Sequence, residues 1–139
     1  ADGVHLQSDR WHHVAGVYDG GQLRIYLDGN LVGSRSASGQ RTLNRLPLVV
    51  GGDPDKNGNA VDTLKGTIDG VRLSRGALYE QESFIPAADF PADANTVALL
   101  TLDRSLAGMV QVEGTRGQDS KVARITGDGR CEAGSAMLP

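Results

Sequence analysis

Apolar and polar positions alternate most clearly between Trp11 and Ser36. Trp11-His12-His13-Val14-Ala15-Gly16-Val17-Tyr18 is rich in strand-forming residues, and after Asp19-Gly20-Gly21 the segment Gln22-Leu23-Arg24-Ile25-Tyr26-Leu27 repeats with period two. Leu23, Ile25 and Leu27 share one face and Arg24 and Tyr26 the other, the signature of a half-buried strand whose leucine side is its apolar face. Asp28-Gly29-Asn30 supplies a second turn, because Gly and Asn tolerate the positive φ of tight hairpins, and Leu31-Val32-Gly33-Ser34 leads back. Two hairpins in succession predict an antiparallel meander.

Beyond it the periodicity is shorter. Residues 36–45 are polar and read as a surface connection. Pro47-Leu48-Val49-Val50-Gly51 reads as a short buried strand with Pro at its start, where no ladder bond is lost. Residues 52–63 form a loop dense in Asp, Asn and Gly, and Leu64 to Ser74 reads as one strand. Ala77 to Ser83 suggests a short helical turn, supported by Glu80 and Glu82, with Pro86 and Pro91 breaking the chain before a strand at Thr96 to Leu102. Met109–Glu113 and Lys121–Ile125 read as two more strands around a turn at Gly117, and from Thr126 onward the composition suits a flexible tail.

Composition narrows the class. The 139 residues suffice for one domain, and 19 glycines with few helix-forming stretches favour many short strands. The formal net charge is -3 and the arginines are scattered, so no basic stripe is present to neutralise phosphates and a nucleic-acid partner is not expected. No apolar run approaches the roughly 20 residues of a membrane helix. No leader-like segment opens the chain, which suggests a mature, processed or truncated start at Ala1. Cys131 is the single cysteine, so no internal disulfide frames the fold; it is either an inert thiol in the tail or one side of a bridge to another subunit.

The stretches WHHVAGVYDGGQLRIYLDGNLVGS, LVVGG and GTIDGVRLSRGAL, in this order and spacing, resemble the laminin-G-like, concanavalin A-like jelly-roll superfamily, which includes the pentraxins. The resemblance covers roughly residues 4 to 102. It implies an all-β, antiparallel β-sandwich (a jelly roll) over residues 1–102; the pattern and composition beyond it suggest that 103–125 could add strands to the same domain and that 126–139 form the tail. It implies a location outside the cytoplasm (extracellular, cell-surface or periplasmic) and binding of carbohydrate or protein. In the family several strands precede the tryptophan-bearing one, and nothing here matches them. A sandwich lacking those strands turns apolar sheet faces and open edges to water. The expectation is therefore a fragment or processed product completed by another polypeptide or by a second copy of itself, with the strands after Thr96 filling part of the gap as the alternative.

Candidate chemistry is sparse. Asp53-Pro54-Asp55-Lys56-Asn57-Gly58-Asn59 reads D-x-D-x-N-G, the start of a calcium loop, and Asp53, Asp55, Asn57, Asn59 and Asp62 could supply several of the six to eight oxygens calcium takes. Leu64 stands where an EF-hand places its bidentate Glu, so this is no EF-hand. The same residues also suit a solvated turn. The resemblance to pentraxins places acidic calcium ligands in the loop after LVVGG, which lands on Asp53 and Asp55. Asp69 shares parity with Val71 and Leu73 and reads as a structural carboxylate. His12 and His13 point to opposite faces of one strand and cannot chelate one metal together. Trp11 reads as a core anchor, with a sugar-stacking platform as the alternative, and Tyr26, Tyr18 and Tyr79 are the aromatic candidates for ligand contact. Jelly-roll glycoside hydrolases set paired carboxylates about 5 Å apart on one strand; here Asp69 stands alone, and no G-x-S-x-G elbow is present. The expected function is a non-catalytic recognition module, with calcium as a candidate cofactor. The competing reading is a structural subunit of a larger complex.

Overall fold

The computed structural model describes residues 3–39 and 48–106, together with the strands at 109–113, 121–124, 130–132 and 135–138. Every described element is a β-strand, the strand pairs whose registers are resolved run antiparallel, and no helix is found among the described residues. Within those residues no helix is long and apolar enough to cross a membrane. The chain divides into two compact units, one of Ala1–Thr42 with Ser74–Asp89 and one of Leu43–Leu73 with Phe90–Pro139.

The first unit is the expected meander. Strand β1 (Val14–Tyr18), β2 (Gln22–Leu27) and β3 (Asn30–Ser36) lie in the order β1-β2-β3. Leu27 pairs with Asn30, and the two residues between them, Asp28 (φ 49°) and Gly29 (φ 81°), both lie left-handed. That is a type I′ turn, for which Asp-Gly is a preferred pair. The β2–β3 register steps from Ile25↔Gly33 to Tyr26↔Leu31. Val32 is the extra residue, a bulge that bends β3.

The segment after Arg75 runs through bends to a bridge at Ser83 and forms no helical turn. Leu31 N donates to Glu82 O and Phe84 N to Gly29 O, both at 2.8 Å, and Asn30 bridges Ser83. The expected helical turn at Ala77–Ser83 therefore gives way to an extra edge segment along β3. The edge of β3 supplies partners for backbone groups that a single isolated helical turn leaves mostly open.

The second unit is built from shorter strands. β4 (Asp53–Pro54) and β5 (Ala60–Val61) form a miniature hairpin inside the loop expected at 52–63. Residues 48–51 run without strand pairing, so the expected LVVGG strand is absent; Pro47 lies outside the described residues. The strand expected over Leu64–Ser74 breaks at Asp69 into β6 (Gly66–Ile68) and β7 (Gly70–Ser74), which join different sheets. β7 pairs with β8 (Thr96–Leu106), followed outward by β9 (Met109–Glu113) and β10 (Lys121–Arg124). Gly70, at the start of β7, lies against Phe90, where a Cβ would stand 3.2 Å from the ring. β11 (Arg130–Glu132) and β12 (Ser135–Leu138) pair with one another, and β12 pairs with β6. These strands lie in the stretch expected to be a tail, and Cys131 sits on β11 opposite Ala136. The turn expected at Gly117 lies outside the described residues.

Arg72 on β7 meets the Asp93 carboxylate at 2.6 Å, and Thr96 Oγ1 donates to Asp93 Oδ1 at 3.0 Å. Thr96 is buried and the Arg72 side chain nearly so, while the Asp93 carboxylate is about half open, so the pair ties the entry of β8 to β7 at the edge of solvent.

Candidate functional site

Tyr26 organises the first unit. It is 0% exposed, and its hydroxyl donates towards the carbonyls of Gln81 (3.0 Å) and Tyr79 (3.3 Å). Tyr79 stacks on Phe84 at 3.7 Å, and the rings of Tyr26 and His13 meet that pair edge-on. Edge-to-face contacts suit the aromatic quadrupole, and the buried hydroxyl finds acceptors. This inverts the sequence expectation. Tyr26, the leading contact candidate, is core, and Tyr79 is committed to the same cluster. The opposite face of the meander is the open one: Val14 is 61% exposed, Leu23 47% and Ile25 48%. Period two assigns residues to faces but does not say which face meets the rest of the chain. Here the aromatic segment 79–84 packs on the Tyr26 side.

Asp28 ties the start of the chain to this unit. Its Oδ1 accepts from the His13 amide at 2.9 Å, its Oδ2 lies 2.9 Å from His12 Nδ1, and the Arg10 guanidinium stands 3.6 Å away. Asp28 N also donates to His13 O at 2.8 Å. The register Val14↔Leu27 brings His13 beside Asp28, so β1 effectively continues past Val14 through a side chain. The histidine parity expected from sequence holds: His12 reaches Asp28 while His13 packs among the rings.

Trp11 lies between two residues bound to one carboxylate, and it is 59% exposed. It is therefore not the core anchor expected; the strand starts at Val14, and the core place is taken by Tyr26. Tyr18 is also open, with its hydroxyl on the carbonyls of Gly39 (3.0 Å) and Gly20 (3.2 Å). Trp11 and Tyr18 are the aromatic side chains that this unit presents to solvent. Asp28 and Arg10 escaped the sequence reading, although extending the hairpin register by one pair would have set Asp28 beside His13.

The acidic loop closes on itself. Asp55 Oδ1 accepts from the amides of Asn57 and Asn59, both at 2.8 Å, and Oδ2 from Asn59 Nδ2 at 3.2 Å. Asn57 and Asn59 thus serve as donors to Asp55. Among the described residues no group of three or more His, Cys, Asp or Glu stands close enough to hold a metal ion, so Asp53, Asp55 and Asp62 do not converge. Asp69 is exposed at the β6–β7 break, and the carboxylate bound to Arg72 is Asp93. No buried carboxylate therefore needs a partner at position 69.

Several of these carboxylates are stabilised as anions. The amides of Gly21 and Gln22, then the Arg24 guanidinium, lower Asp19 from 3.8 to about 2. The His13 amide, followed by the His12 side chain, lowers Asp28 as well. A lowered carboxylate contributes stability that is complete above its unfolded value and is lost as pH falls through its folded value. Thermal melting should therefore stay level down to about pH 4 and weaken from 3.8 towards 2. Asp19→Ala should flatten the lowest part of that curve; an unchanged acid limb would rule out the turn as its source.

The family model described as the concanavalin A-like lectin/glucanases superfamily matches residues 1–82. That stretch includes the meander, Asp28 and Trp11. Neither curated proteins nor solved structures give a match to the chain.

Proposed function

The chain belongs to the concanavalin A-like lectin/glucanase superfamily, and on that footing we propose that it is a non-catalytic, extracellular recognition module that binds carbohydrate or protein through the Trp11 segment. The observation that carries this reading is an exposed indole on a tethered backbone. Arg10, His12 and the His13 amide all reach Asp28, so the segment loses little conformational freedom when a ligand engages Trp11. An indole suits stacking on the apolar face of a sugar as well as insertion into a protein surface. The absence of a carboxylate pair in the sequence motif of jelly-roll hydrolases supports a non-catalytic role.

Binding to immobilised glycans and to extracellular-matrix proteins tests it, with calcium and with chelator so that the Asp53–Asp62 loop is tested together with Trp11. Trp11→Ala should weaken binding by roughly 30-fold, the scale of an aromatic hot spot. Equal binding by wild type and variant would remove the proposal.

A second reading is favoured by the open face of Val14, Leu23 and Ile25. A contiguous apolar surface of this kind suits a structural subunit, with another polypeptide or a second copy laid across the sheet. Sedimentation separates the two readings. A monomer that binds ligand supports recognition, while stable self-association or a co-purifying partner supports assembly.

A further inference from the structure

The Trp11 segment is closed by a ring with two acceptors. His12 Nδ1 lies 2.9 Å from the Asp28 carboxylate, and Nε2 lies 3.0 Å from the Gln7 carbonyl oxygen. An ionised carboxylate and a carbonyl only accept, whereas a neutral imidazole has one N–H and one lone pair. Either neutral tautomer would aim a lone pair at an acceptor. The imidazolium donates to both. We propose that His12 is a proton-operated latch: its doubly protonated ring bridges Gln7 to Asp28 and fixes the backbone that presents Trp11, and loss of one ring proton to solvent opens it.

This rests on reading Trp11 as the contact residue, since the latch then regulates presentation of that side chain. The charged groups around the ring are Asp28, from the β2–β3 turn, and Arg10, from the ring's own segment. Asp28 favours the protonated ring at hydrogen-bond distance. Arg10 opposes that proton but also helps keep Asp28 ionised. The His12 side chain is only 12% exposed, so water does not readily replace a lost bond. Opening leaves the His13 amide on Asp28 Oδ1, so the hairpin persists while residues 7–12 are released.

Ring nitrogen resonances of the full 139-residue chain, labelled with 15N, decide the matter without any ligand. While the latch is closed, both His12 nitrogens should carry protons, held on the Asp28 carboxylate and the Gln7 carbonyl, and these should exchange with water about tenfold more slowly than in His12 of a chain carrying Asp28→Ala, the factor expected from a hydrogen bond between charged groups. Raising the pH should remove one proton and loosen the Trp11 backbone amide. His12→Gln, which does not titrate, should abolish that pH dependence. A Trp11 amide that stays equally protected once the His12 ring is singly protonated overturns the latch, as does persistence of the pH dependence in His12→Gln. Neither result touches the recognition reading, which fails only in the binding assay.

Discussion

Tyr26→Ala is expected to destabilise the chain by about 4 kcal/mol in equilibrium denaturation, the cost of emptying a buried aromatic site. The variant loses the edge contacts to Tyr79 and Phe84 and the hydroxyl bonds to residues 79 and 81. A loss of this size is comparable to the whole stability of a marginal domain, so an unfolded variant agrees with the prediction. Tyr26→Phe keeps the ring and should cost about 1 kcal/mol, the net worth of the hydroxyl bonds. Leu23→Ala and Ile25→Ala, one residue out of phase, should stay within about 1 kcal/mol because both side chains are half open. The reverse ranking would put the other face inside.

Gly29→Ala is the second large effect. Gly29 lies at φ 81°, where an L side chain is strained, and its Cβ would run into the Phe84 carbonyl oxygen and stand 2.9 Å from Pro86 Cδ. The backbone of segment 84–86 approaches so closely because Phe84 N donates to Gly29 O. Strain and overpacking together should cost about 3 kcal/mol. Gly20 is the control: it is also left-handed, at φ 101°, but faces open space. Gly20→Ala should cost about 1 kcal/mol, the conformational part alone. Equal costs at the two sites would mean that segment 84–86 does not lie against the turn.

The first unit was the more legible. Alternation in Gln22–Leu27 and the Asp28-Gly29 pair were enough for the meander, because local turn chemistry and period two fix it. The choice of face was not local. It depends on Tyr79 and Phe84, more than fifty residues further along, and no pattern within β2 reports them. Trp11 was misplaced for the same reason, since a tryptophan before a strand reads as core until another ring takes that place. Leu64–Ser74 reads as one strand because apolar residues recur along it from Leu64 to Leu73, whereas in the fold its two halves join different sheets. The acidic loop matched a metal pattern by composition. In the fold Asp55 accepts from the amides of its own turn, a use for which an Asp at this place is equally suited.

These features have a functional consequence. An aromatic core on one side of the meander leaves the other side apolar and open, and Asp28 holds Trp11 at the rim. The proposed recognition through the indole and the proposed association through the open face both rest on this assignment of inside and outside.

Hydroxyl-radical footprinting read by mass spectrometry measures that assignment directly. The account predicts strong modification of Trp11, Leu23 and Ile25 with Tyr26 protected until the chain is denatured. Rapid labelling of Tyr26 together with protection of Leu23 and Ile25 in the folded chain would contradict it.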